Sequence, residues 1–265
     1  MNKLGRLLLG ILLLLLFSWV FLVTFIAKTP VEWLLFQAQQ GLFGQQVAQS
    51  TQQVTWQNVQ GNLSKGSAQR LDLPFISLED VSWDLSMWRL TLANPVIYLQ
   101  VGSDEEQPWR LQASLLPWDS LTANLKAGDL ALLKSNGFPW ALKGELAGEL
   151  NLQAKLQREN LNCHALTGSW QGDLAVLQPM PLSLGQIFLQ PSCPDSQTLD
   201  WKLTAEQAGE HQINLEGQAK AKTHRWNFTA QAQLEEQAKL QPALQMLGWR
   251  RDNQGNFQAK GSGRW

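Results

Sequence analysis

Residues 142–156 change character at every second position. Leu142, Gly144, Leu146, Gly148, Leu150, Leu152, Ala154 and Leu156 share one side of an extended chain, while Lys143, Glu145, Glu149, Asn151, Gln153 and Lys155 share the other. A helix would scatter those leucines around its circumference, whereas a strand sends alternate side chains to opposite faces. After Arg158-Glu159-Asn160 the alternation returns in Leu166, Gly168, Trp170, Gly172, Leu174 and Val176. That pattern predicts a long antiparallel hairpin joined near Asn160.

The same period recurs along the chain. Leu199, Trp201 and Leu203 form one apolar row, and Ile213, Leu215, Gly217, Ala219 and Ala221 form a second. Trp226, Phe228, Ala230, Ala232 and Leu234 make a third, and Phe257, Ala259 and Gly261 a fourth. Shorter strand candidates lie at 54–56, 59–73, 78–85, 90–101 and 109–115, punctuated by Pro74, Pro95, Pro108 and Pro117. Residues 121–133 suit a helix or a strand, and residues 242–247, ahead of Gly248, suit one short helix. Five segments place Gly at or just inside a strand start, around Gly61, Gly144, Gly168, Gly217 and Gly255, without constant spacing. They predict bends and bulges in a strongly curved sheet, not a solenoid.

Residues 7–27, LLLGILLLLLFSWVFLVTFIA, carry no charge. As a helix they span roughly 31 Å, the thickness of a bilayer core. The run is longer than the apolar core of a cleavable signal peptide, and Phe25 stands where cleavage after Ala27 needs a small residue. It therefore reads as a retained transmembrane helix. Lys3 and Arg6 precede it, which places residues 1–6 in the cytoplasm and the bulk of the chain beyond the membrane. No later run approaches eighteen apolar residues, which argues against a polytopic transporter. Thr29-Pro30-Val31-Glu32 has the form of a helix start, with Thr29 as cap. Trp33 follows, so residues 28–52 read as an interfacial helix and linker, or as a helix packed on the domain. The β-rich remainder divides near Pro139 into a first half, 53–139, and a second, 140–265.

The fold expected is thus mainly β: an N-terminal transmembrane helix, then a strongly coiled antiparallel β-sheet with few short helices. The sheet could close as a sandwich, curl as a partly open barrel or stay open as a groove. Beyond Lys3 and Arg6 the chain carries 19 basic against 22 acidic residues. Its basic clusters, Lys220 with Lys222 and Arg250 with Arg251, are too small to track a phosphate backbone, so no nucleic-acid partner is expected. No G-x-S-x-G, H-E-x-x-H, phosphate-binding loop or C-x-x-C occurs. No enzyme activity, cofactor or metal site is expected. His164, His211 and His224 stand at spacings that suit surface residues better than ligands, and Asp104-Glu105-Glu106 reads as a loop tip.

Cys163 and Cys193 both fall in the part assigned beyond the membrane, where oxidation is favoured, so a disulfide is expected between them. Thirteen tryptophans accompany a single tyrosine. Trp83, Trp170, Trp201 and Trp226 stand on apolar sides of strand patterns. They belong either to the core or to an apolar groove that could take lipid acyl chains.

The anchor followed by Thr29-Pro30, the segment Val59-Gln60-Gly61-Asn62-Leu63-Ser64-Lys65-Gly66, the stretch Leu78-Glu79-Asp80-Val81-Ser82-Trp83-Asp84-Leu85 and the Cys163/Cys193 pair carry a family resemblance. Over nearly its whole length the chain resembles type II secretion system protein N, the general secretion pathway protein N family. The resemblance implies a single-pass protein of the cell inner membrane with a periplasmic domain. It implies an accessory part of the type II secretion system that touches other secretion-system proteins during export of folded proteins across the outer membrane. No catalytic residue carries over. The Gly-Leu alternation also resembles AsmA-like proteins, which implies the alternative of periplasmic lipid binding or transfer.

Overall fold

A computed structural model describes residues 17–25, 27–33, 37, 54–73, 76–86, 89, 94–116, 120–135, 142–157, 160–176, 181–235 and 238–264. Its strands form one antiparallel sheet, built almost entirely by pairing each strand with the next in sequence. β1 (Thr55–Gln57) and β2 (Gln60–Gly61) flank β3 (Lys65–Asp72). β4 (Ile76–Leu85), β5 (Val96–Val101), β6 (Trp109–Leu116) and β7 (Ser120–Lys126) follow as a meander. Residues 121–126, left open between helix and strand, are thus strand. A single turn of tight helix (Leu130–Leu132) leads into β8 (Leu133–Ser135), which pairs beside the start of β4.

β9 (Leu142–Lys143) and β10 (Leu146–Gln157) come next, and β10 pairs with β7, so the sheet runs uninterrupted past residue 139. β10 and β11 (Asn160–Val176) form the long hairpin, from Leu146↔Gly172 to Gln157↔Asn160, with a register shift that leaves His164 as the extra residue. β12 (Leu182–Asp195), β13 (Thr198–Gln207), β14 (His211–Lys220) and β15 (Arg225–Leu234) continue the meander. β15 pairs with β17 (Phe257–Arg264), and β16 (Arg250–Arg251) covers only the first residues of β17. Among the described residues β1 and β17 do not pair, so the sheet is open.

The register places the expected apolar rows together. Leu203, Leu215, Ala230 and Ala259 stand opposite one another across four strands, while Lys202, Glu216, Thr229 and Lys260 form the adjacent outward row. Curvature lets the inner face from β3 to β17 share one core cluster, including Leu71, Val81, Val101, Leu146, Ile187, Ile213 and Phe257. Several inner positions pair an aromatic with a glycine: Trp83 with Gly66, Trp201 and Phe228 with Gly217, Phe228 with Gly261, and Trp226 with Gly263. A Cβ at Gly217 would run into the indole of Trp201, so the ring lies flat across the neighbouring strand.

Of the expected transmembrane span, residues 7–16 and 26 lie outside the described residues, and residues 17–25 and 27–28 are helical. No helix among the described residues is long and apolar enough to cross a membrane. Phe17, Trp19, Phe21, Leu22 and Phe25 are exposed on this helix. The Thr29 hydroxyl donates to the Phe25 carbonyl at 3.0 Å and so closes the preceding turn, where a cap for the following one was expected. The chain then docks on the sheet: Leu63 and Ser64 donate their N–H groups to the Thr29 and Ala27 carbonyls, and Val31 packs with Val59, Ala68 and Trp83. Trp33 is exposed, and residues 34–36 and 38–53 lie outside the described residues.

Candidate functional site

Two apolar hollows open on the inner face of β11–β14. The first measures about 440 Å³. Its floor is the sheet, with Leu174, Ile187, Leu203 and Ile213, and its roof is the short helix Leu240–Met246 with Leu240 and Leu244. The helix stops in a defined way. Gly248 takes φ +78°, its N–H donates to the Gln245 carbonyl, and the Trp249 N–H donates to the Leu244 carbonyl at 3.0 Å. This Schellman geometry brings Trp249 beside Leu244, and both line the hollow. Met246 and Leu247 are 74% and 49% exposed at its margin, so apolar surface continues outward into solvent.

The second hollow, about 320 Å³, lies at the opposite end of the same strands and includes Leu152, Leu166, Leu199 and the Cys163–Cys193 pair. The disulfide is formed, with Cα atoms 6.2 Å apart. It sits where β11 and β12 part, since Trp170↔Leu189 is the last ladder pair on that side. The cystine, with the Cys163 N–H donating to the Ser196 carbonyl at 3.0 Å, ties this end together beyond the last ladder pair.

The four tryptophans singled out from the sequence occupy three settings. Trp83 is buried in the small cluster under the N-terminal segment, edge-on to Trp56 with its Nε1–H donating to the Asn62 carbonyl. Trp170 packs edge-to-face on Trp109, 5.2 Å between centroids, at the border of the main core. Trp201 and Trp226 stand apart on the inner face, both half-buried, Trp201 over Gly217 and Trp226 over Gly263, and Trp226 stacks on Phe228 at 5.9 Å. None of the four lines the larger hollow. Trp249 and the Leu240–Met246 roof do, and the one sequence signal for them was the short helix expected ahead of Gly248.

No group of three or more His, Cys, Asp or Glu side chains suited to a metal occurs among the described residues. His211 is buried, not on the surface, and its Nε2 lies 3.2 Å from the Leu184 carbonyl. His224 is exposed in a left-handed turn conformation. Asp72 joins three strands: it accepts from Ser77 on β4, from Arg70 on β3 at 2.7 Å and from Thr55 on β1. The Ser77 hydroxyl first, and then Arg70, hold its carboxyl below the ordinary 3.8. Asp195, the last residue of β12, is likewise held low, first by the Gln197 N–H and then by the Thr198 hydroxyl.

A single coiled, open antiparallel sheet with an apolar inner face, a polar outer face and, among the described residues, two unpaired edges defines the class as a mainly β protein. The chain belongs to the type II secretion system (T2SS) protein N family, whose model matches residues 52–260. No curated protein and no solved structure matches this chain.

Proposed function

We propose that this T2SS component is an accessory inner-membrane protein that works by protein–protein contact in the periplasm while folded proteins are exported across the outer membrane. The family match over residues 52–260 carries the reading. The edges of the sheet that meet no strand among the described residues, β17 from residue 259 to 264 above all, support contact as the mode of action, because unpaired strand edges are ready templates for another chain. The exposed aromatic and aliphatic side chains of residues 17–25, continuing an uncharged run from Leu7, support a membrane anchor. Deleting the gene and assaying exported enzymes outside the cell tests the role. Loss of extracellular activity, restored by the intact gene, is the expected outcome. Normal export with an altered outer membrane would sink it.

The 440 Å³ hollow favours a second reading, that the domain carries an acyl chain. Its volume lies within the range of small-molecule sites and its walls are almost wholly apolar. Native mass spectrometry of the purified chain decides: a co-purified lipid supports carriage, and no lipid, with no uptake when lipid is offered, removes it.

A further inference from the structure

The outermost strand on the C-terminal side, β17, is paired on one side by β15 and on the other only at Phe257 and Gln258, by β16. From residue 259 to 264 its far side meets no strand among the described residues. Lys260 and Arg264 project from the outward face of this stretch, and both are exposed. The register places Arg264 directly opposite Arg225, and Arg225 directly opposite Lys220, so three cations stand in one row across β17, β15 and β14. Like charges set directly opposite destabilise a sheet. None of the ion pairs among the described residues includes Arg225, Lys260 or Arg264. Asp195 lies near enough to feel Lys220, but its carboxylate already accepts from the Gln197 N–H and the Thr198 hydroxyl.

Edge lysines commonly serve to repel unwanted strands. That role needs charge at the edge alone, whereas this row reaches two strands inward. On the other face of β17, Gly261 and Gly263 are covered by the rings of Phe228 and Trp226, both half-buried. We propose that the free edge of β17 receives an extended segment of a partner protein in which acidic and apolar residues alternate. The added strand continues the sheet, sets its carboxylates beside Lys260 and Arg264, and packs its apolar side chains against the rings of Phe228 and Trp226. A second copy of this chain is a poorer fit. Two β17 edges would bring Lys260 and Arg264 against their own kind, and β1 at the other edge, Thr55–Gln57, offers no acid.

The inference rests on the proposed contact role and names its surface. Full-length protein in detergent micelles is titrated with a short labelled peptide alternating glutamate and valine, and with a lysine–valine counterpart. The glutamate peptide alone is expected to bind, more weakly as salt rises, and to slow amide hydrogen exchange at residues 259–264. Arg225→Glu with Arg264→Glu should weaken it by about tenfold or more, and Arg225→Gln with Arg264→Gln by less, with both variants folded and no less stable than the parent. Binding that survives charge reversal, protection elsewhere than at 259–264, or equal binding of the lysine peptide would overturn the proposal. So would concentration-dependent dimers that protect 259–264 without peptide. In cells, a charge-reversed gene that restores export fully removes this edge while leaving the contact role standing. A deletion that leaves export intact removes the contact role instead.

Discussion

Trp201 and Gly217 show how single residues set the curvature of this sheet. The indole fills the space a side chain at 217 would need, so Gly217→Val must displace the ring or the strand. We expect a loss of about 2 kcal/mol, the cost of overpacking a fitted site, read as an earlier urea midpoint. Asp72 acts by charge. Its folded-state pKa lies below the unfolded one, so its stabilisation is complete above the ordinary 3.8 and vanishes as pH falls through the depressed value. Asp72→Asn should therefore be less stable than the parent near neutral pH, with the gap closing in strong acid. A constant gap in denaturation curves across pH would refute the assignment. At this scale the sequence was partly legible. The alternation revealed which face each tryptophan takes, but not that glycines would lie beneath Trp201 and Trp226, because that depends on cross-strand register. His211 was read as a surface residue because nothing local shows that its strand end folds under Leu184.

Among the elements, β12 is the one that periodicity hid. A register shift near Leu184 reverses its alternation, and Pro191 and Pro194 argue against a central strand. Both prolines stand beyond Leu189, where β12 has lost β11 as a neighbour and has β13 alone, so the missing N–H groups cost little. The disulfide belongs to the same place. Replacing both Cys163 and Cys193 by Ser removes the covalent link across the parted strands, and with it roughly 3.5 kcal/mol on the chain-entropy model for a thirty-residue loop. Thermal unfolding of oxidised and reduced protein measures it; identical curves would mean the seam holds without the bond. The long strands β10, β11, β13, β14, β15 and β17 and the hairpin near Asn160 were legible, since one buried face fixes a period of two, whereas β7 stayed open between helix and strand and the short β8 and β16 gave no period at all. The pairing of β7 with β10 was not legible, because nothing local records which distant strand completes a sheet.

Over the whole molecule, an open sheet leaves two edges and an apolar trough that a closed barrel would have sealed, and the proposed anchor would decide what these can meet. If residues 7–27 span the inner membrane with Lys3 and Arg6 inside, protease added to spheroplasts should digest the domain, while intact cells protect it. A domain protected until the spheroplasts are lysed would place it in the cytoplasm. The family was legible from the segments around Gly61 and Trp83, whereas the hollow beneath Leu240–Met246 was not, because its walls come from strands up to about seventy residues away. The most direct test of contact in the secretion machinery is photocrosslinking in living cells from probes spaced along the outer face and the β17 edge, with adducts identified by mass. The account predicts adducts with other T2SS components that disappear when the machinery is absent. Adducts with lipid alone, from probes on either face, would contradict it.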